Sequence, residues 1–249
     1  MGVRKKIARP QVLGHRGASA HYPENTMVAF LGAMSAGADG VELDVRLCAT
    51  GELVVFHDDD VDRLCEGRGA VATKSWTELS DLKVAGEPIP LLSEVLEQLP
   101  KARINIELKK HPLGLALPLV RATIAAIEAA GAQDRVILSS FDPRLLALLR
   151  VLAPGLPRGL LFYEGQAFAM RRAWLAKALA VQALHPSQKL VTGHTMQKWT
   201  SAGYQVNTWT VDSPTKIRHL ARLGVTTIIT NDPKQALKAL EASSDDATG

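Results

Sequence analysis

Short apolar runs recur along the chain, each followed by a longer stretch rich in Ala and Leu. The runs are Val12–Gly14, Gly40–Leu47, Arg103–Glu107, Val136–Ser139, Gly159–Phe162, Val181–Leu184, Gln205–Thr210 and Thr226–Thr230. Their β-branched content and length predict strands. Between and after them lie helical patterns at Glu24–Ala36, Leu92–Gln98, Leu115–Ala130, Pro143–Leu152, Ala167–Leu179, Lys189–Ala202, Pro214–Leu223 and Lys234–Glu241. Asp142-Pro143 and Ser213-Pro214 place proline at a first helical position, and Gly37, Gly131, Gly203 and Gly224 each follow the end of a helical pattern. Eight strand–helix units in series predict an α/β fold, a closed parallel TIM (β/α)8 barrel. An open doubly wound sheet usually carries a GxGxxG turn after its first strand, which is absent here.

One interval breaks the rhythm. From Gly51 to Pro90 a strand-like Glu52–Phe56 leads into a long polar stretch. The expected organisation is a single barrel domain over residues 9–242, with 51–90 as an inserted subdomain after the second strand, over the catalytic face. The polar tail Ser243–Gly249 is expected to fray.

Composition adds little beyond class. The 249 residues are 47% hydrophobic and 22% charged, which suits a soluble globular chain able to bury a large core. The net charge of +4 draws partly on Arg4, Lys5, Lys6 and Arg9, which read as a solvated tail. No basic stripe interleaved with aromatics follows, so no nucleic-acid partner is expected. Cys48 and Cys65 form no metal-binding spacing and are expected as free thiols. There is no apolar leader and no apolar run long enough for an integral membrane segment, so a cytoplasmic location is expected.

The chemistry lies at strand ends. His15 and Arg16 close the first strand, Glu42 and Asp44 share one face of the second, His57 follows Val54-Val55-Phe56, and Glu107 and Lys109 share one face at the third. Side chains two apart on a strand point the same way. Reactive residues of such barrels occupy the C-terminal ends of strands. Three carboxylates around one point suit a hard divalent cation, because close carboxylates without one repel each other's charge. Two histidines beside them suit proton transfer. Arg16 and Lys109 suit an anionic substrate. His21, His111, His194 and His219 read as surface or structural residues. His185, after the sixth strand, is open between the mouth and a helix or loop contact. Trp209 is open between an apolar wall for an alcohol moiety and core packing. Glu24 and Asn25 read as helix-start residues. Ser139 and Ser140 read either as hydroxyls at the mouth or as caps. No GxSxG elbow and no phosphate loop are present.

In sum, His15-Arg16-Gly17, Pro23-Glu24-Asn25-Thr26, Glu42-Leu43-Asp44-Val45, His57-Asp58, Ile106-Glu107-Leu108-Lys109 and Trp209-Thr210-Val211, in that order, resemble the glycerophosphodiester phosphodiesterase family. Asp62-Arg63 through Gly69, then Ile89-Pro90-Leu91, resemble that family's insertion, and the resemblance runs from about His15 to about Pro233. It implies a TIM barrel that hydrolyses a small-molecule glycerophosphodiester to sn-glycerol 3-phosphate and an alcohol with a divalent cation, Mg²⁺ or Ca²⁺. It implies His15 and His57 as the acid/base pair, Glu42, Asp44 and Glu107 as metal ligands, and Arg16 and Lys109 as phosphate contacts. His185 and Trp209 are carried as candidate substrate contacts on their position alone.

Two rivals are distinguishable. A lysophospholipase D-type or phosphoinositide-type phosphodiesterase needs an apolar rim, for which Leu64, Trp76 and Leu79 are the candidates. A non-catalytic phosphodiester-binding barrel would lack one of the ionisable residues, and here all are present. A homodimer is left open.

Overall fold

A computed structural model describes residues 9–110 and 113–245. In chain order the strands are β1 (Gln11–His15), β2 (Gly40–Leu47), β3 (Leu53–Val55), β4 (Lys83–Val84), β5 (Glu87–Pro88), β6 (Arg103–Leu108), β7 (Val136–Ser140), β8 (Arg158–Phe162), β9 (Ala183–Pro186), β10 (Gln205–Thr208) and β11 (Thr227–Thr230). The helices are α1 (Met27–Ser35), α2 (Trp76–Ser80), α3 (Leu92–Gln98), α4 (Ala116–Ala129), α5 (Pro143–Leu152), α6 (Phe168–Arg171), α7 (Gly193–Ser201), α8 (Pro214–Leu223) and α9 (Pro233–Asp245).

Strands β1, β2 and β6 through β11 pair in parallel, and β1 closes the ring by pairing with both β2 and β11. This is the closed eight-stranded TIM barrel expected from the pattern. Outward side chains of the strands and the inner faces of the helices form one apolar layer that includes Phe30, Leu96, Leu119, Leu149, Phe162 and Leu220. Burying each such side chain is worth roughly 1.5–3 kcal/mol. Close strand approach needs Gly40, where a Cβ would come within 1.8 Å of the Arg103 carbonyl oxygen.

Start and stop signals act as read. Asp142 caps α5 and Ser213 caps α8, each ahead of its proline, and Gly224 ends α8 in a left-handed conformation.

Several expected elements differ. The helix expected from Lys189 starts at Gly193, and α9 runs on to Asp245, into the stretch expected to fray. The first helix starts at Met27 instead of Glu24, with Thr26 as its cap, because Asn25 takes a left-handed φ of 57°. The stretch expected as one helix over 167–179 is helical only over Phe168–Arg171 and continues as turns to Ala180. Its buried residues Ala173, Ala176 and Leu179 recur every third position, which suits tight turns rather than a 3.6-residue period. Left-handed dihedrals at Ala173 and Ala180 break the ladder. The sixth barrel strand runs over Ala183–Pro186 instead of Val181–Leu184, and its later end takes in His185.

Between β2 and α3 the chain builds a second small core. β3 pairs antiparallel with the end of β2, and Phe56, Val61, Val71, Leu79, Val84 and Ile89 pack together behind it. Cys48 and Cys65 are both free. Leu79 is fully buried here, and Leu64 and Trp76 pack against the same cluster, so they supply no apolar rim. Arg4, Lys5, Lys6 and His111 lie outside the described residues. Among the described residues no helix is long and apolar enough to cross a membrane.

Candidate active site

The β2–β6 register sets the site. Asp44 pairs with Glu107 across the ladder, and Glu42 with Asn105. Glu42, Asp44 and Glu107 are all buried, and one ligand atom from each lies within 4.8 Å of the others. Two cations, Lys109 and Arg16, answer them incompletely. Lys109 Nζ lies 2.7 Å from Glu107 Oε1 and 3.2 Å from Asp44 Oδ1. Arg16 Nε lies 3.3 Å from Asp44 Oδ2, while its backbone N–H donates to Glu42 Oε2 at 3.0 Å. Arg46 points at the same end of β2 but clasps the His57 carbonyl oxygen and Asp59 instead.

The carboxyl groups respond unequally. Burial pushes Asp44 up, but Lys109 and Arg16 outweigh it and hold the group well below its ordinary range. Burial and the charge of Asp44 raise Glu42. Burial raises Glu107 too, against the pull of Lys109. A buried cluster that keeps two of three carboxylates at raised pKa is short of positive charge, and its donor set is all oxygen. Those residues therefore fit a hard divalent ion.

The two histidines face the same cavity of about 70 Å³, whose walls also include Arg16, Glu42, Glu107 and Lys109. Their partners differ. His15 Nδ1 lies 2.7 Å from Asn231 Oδ1. Asn231 Nδ2 donates to Asp212 Oδ2 at 2.7 Å, which fixes the amide with its oxygen toward His15. Asn231 Oδ1 can only accept, so His15 carries its proton on Nδ1 and leaves Nε2 as a lone pair. Burial, then the neighbouring Arg16 charge, lowers the His15 pKa. His57 Nδ1 instead meets Asp58 Oδ1 at 2.6 Å, and Arg63 Nε holds Asp58 from behind at 2.5 Å. Burial lowers the His57 pKa, with Asp44 and Asp58 opposing it.

The site is braced by residues that sequence reasoning took for helix-start chemistry. Asn25 caps nothing. Its Nδ2 donates to Asp44 Oδ2 at 2.8 Å, and its backbone N–H donates to the Arg16 carbonyl at 3.0 Å. Glu24 accepts from Arg16 Nη1 at 2.8 Å and from Arg63 Nη2 at 2.8 Å, tying the insertion to the mouth. Arg16 and Asn25 both have positive φ, 54° and 57°. Such backbone costs about 1–3 kcal/mol per residue and persists where surrounding contacts over-determine it.

Two candidates divide. Trp209 lines the cavity, donates from Nε1 to the His185 carbonyl at 2.9 Å, and meets Phe141 edge-on. His185 does not line the mouth. It is 0% exposed inside the barrel, its Nε2 accepts from Asn207 Nδ2 at 3.0 Å, and its ring lies on Gly159. The reason is the strand shift noted above, which puts His185 on the inward face below the rim. Of the two serines, Ser140 caps, donating to the Leu108 carbonyl and accepting from Asp142 N–H. Ser139 is buried and has no hydrogen-bond partner among the described residues.

Two mouth residues were missed. Asn105 lines the cavity, and its Oδ1 has no hydrogen-bond partner among the described residues. The period-2 face of β6 that holds Glu107 would have found it. Asn231 follows β11 at a strand end, and position alone could have flagged it.

A closed barrel with a carboxylate trio and two histidines at its C-terminal mouth is the architecture of a phosphodiester-cleaving enzyme class. The chain matches the Glycerophosphoryl diester phosphodiesterase family over residues 15–235 and belongs to that family. It is 36% identical to a glycerophosphodiester phosphodiesterase of Caldanaerobacter subterraneus subsp. tengcongensis, over 90% of this chain and 94% of the relative. It is 33% identical to a glycerophosphodiester phosphodiesterase of Bacillus altitudinis, over 93% and 98%. The solved structure of an Oleispira antarctica phosphodiesterase in complex with the product sn-glycerol-3-phosphate superposes with a TM-score of 0.85, at 27% identity, over 94% of this chain and 97% of that one.

Proposed function

We propose that this protein hydrolyses glycerophosphodiesters to sn-glycerol 3-phosphate and an alcohol, with Glu42, Asp44 and Glu107 holding one Mg²⁺ or Ca²⁺ ion. The observation that carries the reading is the carboxylate trio and both histidines facing one cavity. The ion, when bound, would supply Lewis-acid withdrawal of charge from the phosphate. Everything else falls to the chain.

Lys109 has three N–H donors and two carboxylate contacts, which leaves a donor for a phosphate oxygen. Arg16 Nη2 is likewise uncommitted among the described residues, and the two cations balance the charge that grows on phosphorus-bound oxygens. His15, neutral with a free Nε2, takes the proton from the attacking hydroxyl as its oxygen bonds to phosphorus. His57, backed by the Asp58 carboxylate that stabilises its protonated form, gives a proton to the departing alcohol as the P–O bond breaks. The attacking hydroxyl belongs to water, or to the glycerol 2-position, in which case a cyclic phosphate forms first and water then opens it to glycerol 3-phosphate. Trp209 and Phe141 form the apolar wall beside the leaving group. Residues 51–90 act as an inserted subdomain that delivers His57, Asp58 and Arg63 to the mouth of the 9–242 barrel.

The test is release of glycerol 3-phosphate from glycerophosphocholine, followed in Mg²⁺, in Ca²⁺ and in EDTA. Release that stops in EDTA and returns with one of the ions is expected. Folded protein that releases nothing with either ion contradicts the reading.

A further inference from the structure

The turn-rich segment after β8 presents an unusual surface. Ala173, Ala176 and Leu179 pin it to the barrel, while the opposite side exposes Phe168 (49%) and Trp174 (62%) together with Leu175. Large aromatics at such exposure, side by side and edge-on at 5.5 Å, are seldom left in water without a use. Cations surround them. The guanidinium groups of Arg171 and Arg172 lie 5.3 Å and 4.8 Å from the Phe168 ring centroid. Arg171, Arg172, His194 and Lys198 line a cleft of about 330 Å³ floored by Leu190 and Trp199. None of Arg171, Arg172 and Lys198 pairs with a carboxylate among the described residues.

Charge singles out the same stretch. Between Tyr163 and Ser201 the chain carries five Lys or Arg residues and one acid, Glu164. That excess of +4 equals the net charge of all 249 residues, so the rest sums to neutral. Glu164 is itself neutralised by Lys189 at 2.9 Å.

The position is on the rim of the catalytic face. The segment leaves the C-terminal end of β8, and the cleft's other wall starts where α7 follows β9. Tyr163 meets Phe141 edge-on at 6.0 Å, and Phe141 lines the mouth cavity.

We propose that Phe168, Trp174 and Leu175, with Arg171, Arg172 and Lys198, form a docking surface for an anionic phospholipid bilayer, which would seat the barrel mouth toward the membrane surface. Aromatic rings with an apolar body suit the headgroup–acyl boundary, and arginines beside them suit lipid phosphates. Juxtaposed cations are drawn to an anionic leaflet and released by salt. A nucleic acid would also accept cations and rings, but here the aromatics lie against one another instead of spaced along a groove, so the bilayer is the better fit. This inference concerns where the protein sits and stands apart from the reaction it catalyses.

Co-sedimentation with vesicles of phosphatidylcholine alone and of phosphatidylcholine mixed with phosphatidylglycerol tests it. The protein is expected to bind the mixed vesicles, to bind neutral vesicles far less, and to dissociate as salt rises. A double R171E/R172E change should weaken partitioning at least about tenfold. Trp174→Ala should weaken binding by several-fold at unchanged charge. Both changes are at exposed positions, and unchanged far-ultraviolet circular dichroism and Tm verify folding. Failure to bind mixed vesicles, equal binding by the charge-reversed protein, or binding to a single-stranded polynucleotide with none to vesicles would each overturn the proposal.

Discussion

The two halves of the barrel interior are built on opposite principles. Strands β1, β2 and β6 bring His15, Arg16, Glu42, Asp44, Glu107 and Lys109 together, so nearly every inward group is ionisable. Strands β7 through β10 offer Ser139, Gly159, His185, Asn207 and Trp209, and the one titratable group among them is kept neutral by burial. Both halves sit on the same closed sheet with the same inward alternation. Concentrating charge on one side lets cations and carboxylates offset each other at contact distance. It also leaves the other side free to shape a neutral wall without paying the desolvation cost of charge. Under the proposed function, phosphate chemistry belongs to the first half and recognition of the alcohol to the second.

The largest effects should come from breaking the charged half. His15→Ala and His57→Ala each remove one proton-transfer partner and are expected to lower kcat by about 10²–10⁴-fold with Tm nearly unchanged. Steady-state kinetics beside a thermal melt will check this, and near-normal turnover in either variant would remove that residue from the mechanism. Next comes Asn25, which orients Asp44 without being a ligand candidate itself. Asn25→Ala should weaken divalent-cation affinity roughly 10–100-fold. An activity titration against Mg²⁺ or Ca²⁺ reads it, and recovery of activity at high cation concentration separates positioning from collapse of the site.

The neutral half should respond in stability. A Cβ on Gly159 would approach His185 Nε2 to 2.3 Å. Gly159→Ala is therefore expected to cost about 1–3 kcal/mol in chemical denaturation, as overpacking does. An unchanged midpoint would show that the ring can move aside. His185 adds a pH signature. Burial lowers its pKa to about 3, below the ordinary histidine value of 6.5 in the unfolded chain. The unfolded chain then binds the extra proton between those values, so stability falls as pH falls from about 6.5 toward 3. The slope is about 1.4 kcal/mol per pH unit at most, and His185→Gln should flatten it. Equal slopes in denaturant melts at pH 7, 6 and 5 would mean that the buried ring exerts no such penalty.

Legibility in the sequence followed the same division. The charged half was readable because its residues announce their chemistry by type and spacing. Glu42 and Asp44, or Glu107 and Lys109, share a strand face by simple alternation, and β2 itself was placed with its exact bounds. Elements with strong local signals, such as α3, α5 and α8, also came out to the residue. What failed depended on tertiary partners. Asn25 looks like a cap until the fold brings Asp44 beside it, 19 positions away in the chain. Asn231 becomes part of the site only because β11 closes onto β1, bringing it to His15 across 216 positions. His185 turned on where its strand ends, at Pro186 instead of Leu184, which is set by pairing with the neighbouring strand and not by the local pattern. The stretch 167–179 has helix-forming composition, but its buried positions recur every third residue.

The central claim is that the charged half holds one divalent ion through Glu42, Asp44 and Glu107. Calorimetric titration of EDTA-stripped protein with Mg²⁺ and with Ca²⁺ tests it most directly, run beside Asp44→Asn with folding verified by its melt. Binding of one ion per chain by the unaltered protein, lost in Asp44→Asn, is the expected result. Absence of binding, or equal binding by the folded variant, would contradict the account.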